Sequence, residues 1–303
     1  MNNKNSFSKF TIIYHPTPYN MNKVFSENKT LLLGIEKSEN NSFLDMPVQF
    51  SEYTVLLISK GEGIYHADFA SFSFKAPAIL FSTPQQSISI KEITPVTYTS
   101  LQFHGDFYCI EYHRKEVACN GLLFNNIYVE PSIKLTTEQH QLYCQLVDQI
   151  IDEIKQQTPS EIVLRAYLQL ILAKSSSLKI TSEKQNFQKD EKMDYFKILL
   201  EENFLSLHKA SDYASLLSMT ANNFTKQCSK RFNKTPTQMI QERLILEAKK
   251  QLHLTRLSIK EIAYALKFQD EYYFSRVFKK MTKVSPQTFR KTTGISIVAD
   301  LSK

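Results

Sequence analysis

Four side chains between Asp270 and Lys280 stand on one helical stripe: Tyr272, Ser275, Arg276 and Lys279, spaced i, i+3, i+4 and i+7. The same spacing puts Phe274, Val277, Phe278 and Met281 on the opposite side, which predicts an amphipathic helix that buries its apolar face. The exposed groups are hydrogen-bond donors and acceptors rather than an activated nucleophile with its base. Arginine can donate two parallel hydrogen bonds to O6 and N7 of guanine, tyrosine and serine hydroxyls adapt to several partners, and lysine holds a phosphate. Tyr273 widens the same surface. A helix of this kind fits the major groove of duplex DNA.

A second stripe, Asn222, Thr225, Lys226 and Ser229, occupies the matching place in a repeat. Ala214 pairs with Ala263 at a spacing of 49, and Phe224, Lys230 and Pro236 pair with Phe274, Lys280 and Pro286 at a spacing of 50. Each copy reads as a short helix, a turn and a second helix, over about 208–232 and 258–282, which is the helix-turn-helix layout. Ser258 with Glu261 predicts a capping box, Asp270 an N-cap, and Thr235-Pro236 and Ser285-Pro286 an N-cap followed by proline in the first helical turn. A helix over 236–253, with Ile240, Leu244, Ala248 and Leu252 on one face, joins the copies. One polar stripe alone is ordinarily a solvated face. Recurrence in two copies weighs against that, and so does the charge: from Asp190 to the end there are 20 Lys+Arg and 12 Asp+Glu, a net of +8, against 17 and 18 before it, a net of −1.

Other chemistry is poorly supported. His66 and His104 stand alone, without the His-x-His pair and nearby Glu that a metal-dependent barrel enzyme needs. No catalytic triad stands out, and six glycines supply no phosphate-cradling loop. Neither a metal nor a cofactor is expected. Cys109, Cys119, Cys144 and Cys228 are scattered, which predicts free thiols in a reducing, cytoplasmic setting. No apolar run is long enough to span a membrane, and the first ten residues lack the apolar core of a secretory signal.

The positioning elements fall into blocks. Up to about residue 130 the chain reads as short strands, at 52–58, 71–75, 78–82, 87–90 and 97–103, with turn signals at Lys60-Gly61-Glu62-Gly63, Pro77, Pro84 and Pro95. A sandwich or barrel follows. Phe72, Phe74, Phe81 and Phe103 are read as core before pocket lining. Over 131–175 two amphipathic helices, the first capped by Thr136 and Gln139, either cover the sheet or pair two copies. Residues 176–190 are polar and aperiodic and are read as a linker to a helical domain at 191–303.

Residues 192–291 resemble the DNA-binding domain of the AraC/XylS family of bacterial transcription regulators. The resemblance rests on Arg243–Leu252 (RLILEAKKQL), Ser258–Ala263 (SIKEIA), the Phe268–Lys280 run with its Tyr-Phe-Ser-Arg core, and Ser285–Arg290 (SPQTFR). It implies base-reading roles for Asn222, Thr225, Lys226, Tyr272, Ser275 and Arg276, and promoter DNA as partner. The region 56–86 resembles the cupin-like sensing domain common in this family. That implies an α+β multidomain chain with a cupin-like β-barrel and two helix-turn-helix units, a small-molecule effector, a homodimer through the helices at 135–174, contact with RNA polymerase, and activation over repression. The family has glycine where this chain has Asn233, Lys267 and Lys283, and a large apolar residue where it has Cys228, so looser turns are expected. Two other readings remain: a helical module for RNA or acidic proteins, and a metal-dependent enzyme fused to a DNA-binding domain.

Overall fold

The structure is a computed structural model that describes residues 21–26, 30–39, 44–68, 70–108, 123–124, 130–185 and 191–295. Its described strands are β1 (Met21–Phe25), β2 (Leu31–Ser38), β3 (Val48–Gln49), β4 (Tyr53–Ala67), β5 (Ala70–Lys75), β6 (Ala78–Ser82), β7 (Ser87–Phe103) and β8 (Ser132–Lys134). They form one antiparallel sheet in the order β1-β2-β7-β4-β6-β8, with β3 also on β7 and β5 also on β4.

The turns expected at Lys60–Gly63 and Pro95 are corrected. β4 and β7 run straight through these residues as long paired strands, with register shifts between Ile58 and Gly63. The bulges bend both strands together without ending them. The two glycines serve close approach: a Cβ on Gly61 would lie 2.3 Å from the Pro95 carbonyl oxygen, and one on Gly63 2.6 Å from that of Lys91. Side chains take up bonds the disturbed ladder drops, since the Val96 N–H donates to Glu92 Oε1 (2.7 Å) and the Glu62 N–H to Thr94 Oγ1 (3.0 Å).

Alternation along the strands fills two cores. Val55, Leu57, Ile79, Phe81, Leu101 and Phe103 face the helices that follow, while Leu56, Ile58, Leu80, Phe72 and Phe74 fill the other side. The four phenylalanines read as core are all buried there.

Helices α1 (Thr137–Ile154) and α2 (Glu161–Gln185) lie over the first of these faces. The predicted Thr136–Gln139 capping box starts α1. Ile150, Ile154, Leu164, Leu168 and Leu172 join the sheet core, so the pair covers its own sheet. α2 runs ten residues into the stretch read as linker. Polar residues continue the helix because several find a partner inside it or beneath it. Ser175 and Ser176 donate to the carbonyls of Ile171 (2.8 Å) and Leu172 (3.0 Å), and Lys179 Nζ donates to those of Glu130 (2.8 Å) and Ser132 (2.9 Å) beside β8. Lys179 is only 5% exposed. Lys179→Met keeps the bulk and strands the two carbonyls, so it should lower stability by about 1–3 kcal/mol in chemical denaturation. An unchanged midpoint would show that α2 holds its place without this bond.

The remaining helices are α3 (Glu191–Asn203), α4 (Ala210–Leu216), α5 (Ala221–Phe232), α6 (Pro236–Leu254), α7 (Ile259–Ala265), α8 (Glu271–Thr282) and α9 (Pro286–Thr293). They share one core, in which Ile240, Leu244, Ala248 and Leu252 of α6 form the spine. Arg243 ties α3 to that spine, with Nε 2.9 Å from Glu201 Oε2 and its guanidinium 3.8 Å from the centre of the Phe204 ring. Cys228 fits within this core, and burial pushes its thiol up to about 12.

Candidate nucleic-acid interface

The internal repeat is also a repeat of backbone hydrogen bonds. α4 ends with Ser218 in the left-handed region (φ 51°), the Met219 N–H donating to Ala214 O (2.9 Å) and the Ser218 N–H to Ser215 O (3.0 Å). Forty-nine residues on, α7 ends with Lys267 at φ 61°, the Phe268 N–H donating to Ala263 O (3.0 Å) and the Lys267 N–H to Tyr264 O (2.9 Å). This is the left-handed helix stop that glycine ordinarily makes. The following helices start alike, with Thr220 accepting from the Asn223 N–H (3.3 Å) and Asp270 from the Tyr273 N–H (2.6 Å). They also stop alike, at Asn233 (φ 54°) and Lys283 (φ 66°).

The departures from glycine noted in the sequence therefore all fall on left-handed residues, and the turns form regardless. A side chain there costs about 1 kcal/mol relative to glycine. Lys267→Gly and Lys283→Gly should each raise stability by about that amount, read as a higher Tm. A fall in Tm would mean that the lysine side chains contribute more than the backbone strain costs.

α5 and α8 each bury one face and show the other. Phe224, Cys228 and Phe232 are buried in α5, and Phe274, Phe278, Met281 and Thr282 in α8. Asn222, Thr225, Lys226 and Ser229 are exposed, as are Tyr272, Tyr273, Arg276 and Lys279, while Ser275 is half-buried. Tyr272 is 82% exposed, unusual for a large aromatic with no apolar partner to cover it. Thr225 Oγ1 donates to Ala221 O (2.8 Å), so toward a partner it can act only as an acceptor. The Arg276 guanidinium lies 5.9 Å from the centre of the Tyr273 ring, which in turn lies 5.9 Å from Phe268. Tyr273 thus links the core to the arginine and restrains it.

α6 holds the two units apart. Its 19 residues span about 28 Å at roughly 1.5 Å per residue, close to the about 34 Å repeat of duplex DNA. At its start, Lys234 Nζ lies 2.7 Å from Glu242 Oε2, and burial raises the Glu242 carboxyl despite this lysine.

How the second unit meets the sheet is not legible from sequence periodicity. Gln49 Nε2 of β3 donates to the Thr282 carbonyl at the end of α8 (2.9 Å). His104, just after β7, faces the backbone of Thr293 at the end of α9. His253, near the end of α6, pairs Nδ1 with Gly294 O (3.1 Å). These contacts use the helix C-termini and leave the Tyr272–Arg276 stripe uncovered. Between the two regions lies a partly open cleft of about 40 Å³, lined by Tyr53 and Pro84 on one side and Leu246, Lys249, Lys250 and Phe289 on the other. Neither partner of any such contact lies near the other in sequence, so periodicity could not reveal them. Of the histidines considered as metal ligands, His104 belongs to this junction, and His66 Nδ1 pairs with Ser71 Oγ (2.8 Å). Among the described residues no three His, Cys, Asp or Glu side chains are grouped to hold a metal ion. Cys109 and Cys119 lie outside the described residues.

Compared with known protein families, residues 213–292 match the one described as a helix-turn-helix domain. A curated relative, an uncharacterised HTH-type transcriptional regulator in the cgkA 5' region of Pseudoalteromonas carrageenovora, is 32% identical over 95 residues. That match spans 31% of this chain and 56% of the relative, little more than half its length. Among solved structures, the unsaturated fatty acid-bound wild-type ToxT of Vibrio cholerae is similar at 17% identity and a TM-score of 0.41, over 88% of this chain and 96% of that one. A transcriptional regulator with an AraC-type DNA-binding domain from Chromobacterium violaceum is similar at 19% identity and a TM-score of 0.32, over 34% of this chain and 93% of that one.

Proposed function

We propose that this chain, whose residues 213–292 match a helix-turn-helix domain family, is a sequence-specific DNA-binding transcription regulator of the AraC/XylS type. The observation that carries the reading is the recurrence of one polar stripe at the same place on α5 and α8, each behind the same left-handed turn, in a region of net charge +8. Asn222 and Arg276 read base edges, Thr225, Ser229, Tyr272, Tyr273 and Ser275 add hydroxyl contacts, and Lys226 and Lys279 hold phosphates. Both helices enter successive major-groove segments on one side of the duplex.

The sheet region senses an effector. The cleft beneath α6 holds about 40 Å³, room for about one water, whereas small-molecule sites run to about 300–1,000 Å³. An effector entering there has to part the sheet from the helices, and that gives it different affinity for two arrangements. The chain acts in the cytoplasm as a homodimer. Ile162 (81% exposed) and Leu170 on the outer side of α2 supply the apolar contact. RNA polymerase is the partner of an activator.

The test is selection of bound fragments from random duplex DNA by the full-length chain at near-physiological salt. A recovered motif with two blocks about one helical turn apart supports the reading. Fragments without any motif would reduce the surface to a generic basic face and turn attention to RNA and acidic proteins.

A further inference from the structure

We propose that His104, in the turn that packs on His253, is a protonation-sensitive latch that clamps the sheet onto the second helix-turn-helix unit at neutral pH and releases it on mild acidification. The geometry states the neutral form. His104 is 7% exposed, and its Nδ1 accepts the Asp106 N–H at 3.1 Å. An imidazole that accepts at Nδ1 carries its proton on Nε2, which leaves that N–H for the Thr293 backbone across the junction. The next residue, Gly105, packs directly on His253: a Cβ there would lie 2.7 Å from His253 Nε2. His253 in turn reaches back to Gly294 O. One turn from the sheet is thus wedged between the ends of α6 and α9, with a histidine on each side.

A proton arriving here meets mostly like charge. On the α6 side stand His253, Lys249 and Lys250, and on α9 stands Arg290, whose Nε donates to Leu252 O (3.1 Å). Asp106, with Oδ2 3.6 Å from His104 Nδ1, opposes this, and Asp68 offsets the charge of Lys249. Burial pushes the His104 imidazole below the usual histidine range, Asp106 and the Thr293 backbone oppose that, and His253 adds to it. The sign follows. A histidine whose clamped form titrates below its free form takes up its proton more readily when released. The latch is therefore at full strength above the free histidine range and weakens as pH falls through it. For each proton taken up, the ratio of clamped to released chain falls by up to about tenfold per pH unit.

Small-angle scattering of the full-length chain at pH 7.5 and pH 5.5, with far-UV circular dichroism to verify that the helices persist, reads the change. Wild type should show a larger radius of gyration at pH 5.5 with unchanged helix content. His104→Gln can still donate to Thr293 and accept from Asp106 but cannot take a proton, so it should stay compact at both pH values. Gly105→Ala pushes the His253 imidazole aside, so it should expand at a higher pH than wild type. A wild type of constant size, or a His104→Gln variant that expands as much as wild type, overturns the latch. None of these readouts involves DNA, so they stand or fall separately from the proposed function.

Discussion

Phe274→Ala should cost about 3–5 kcal/mol of stability, the range for emptying a buried aromatic site. The side chain is fully buried, with its ring 5.2 Å from Phe268 and 5.8 Å from Phe278. Phe268 seats the turn before α8 and Phe278 seats α9 through Phe289 at 5.7 Å, so the void opens where three elements meet. Total stabilities of about 5–15 kcal/mol make this loss a large fraction of the whole. Phe224 is the matched residue of the first unit, with its ring 4.9 Å from Phe196, and Phe224→Ala should cost a similar amount. Because α6 runs one core through both units, each variant should lower the midpoint of a single cooperative transition of α3–α9. Urea denaturation followed by circular dichroism checks this. A transition that splits in two, with one half untouched, would show that the units fold independently.

Arg276→Ala should weaken binding to the selected operator by about 1–3 kcal/mol and relax the preference at one base position. The mechanism is the loss of two parallel hydrogen bonds to a guanine edge, a geometry the planar guanidinium fork matches. Lys279→Ala should instead weaken all sequences by a similar factor and reduce the slope of log K against log salt by about one. Titration of both variants against the operator and single-base variants of it, over a salt series, separates the roles. If Arg276→Ala lowers affinity equally on every sequence, Arg276 touches only phosphate, and base reading in the second unit falls to Tyr272 and Ser275. Tyr273→Phe keeps the ring beneath the guanidinium and should retain the base preference, whereas Tyr273→Ala should blur it.

The helical third of this protein was legible in its sequence because the interactions that set it are local. Capping residues lie within three positions of the groups they satisfy: Thr235 with Gln238, Ser258 with Glu261, Asp270 with Tyr273. The buried and exposed faces of α5 and α8 follow from the 3.6-residue period alone. The repeat at spacings of 49 and 50 carried over even to the left-handed stops, where lysine and asparagine stand in for glycine. The same logic misread Lys60–Gly63 and Pro95, since glycine and proline signal a turn only when nothing across the sheet needs them. There the approach of Gly61 to Pro95 lets two long strands bend as one. It also ended the helical segment too early at the serines of α2, whose polarity suggested solvent. Their partners are carbonyls one turn back, and Lys179 finds its own on β8 some fifty residues earlier in the chain.

The sequence by itself thus determined which segments of the region after residue 190 are helices, where those are capped, and which side chains of α5 and α8 remain outside. Only the tertiary structure decided that β4 and β7 are continuous, that α1 and α2 cover their own sheet, and that His104 and Gln49 meet the ends of α9 and α8. The physical reason is range. A cap or a helical stripe is specified by residues a few positions apart, whereas a bulge, a buried lysine or an interregional hydrogen bond depends on which distant backbone group arrives with an unpaired donor or acceptor.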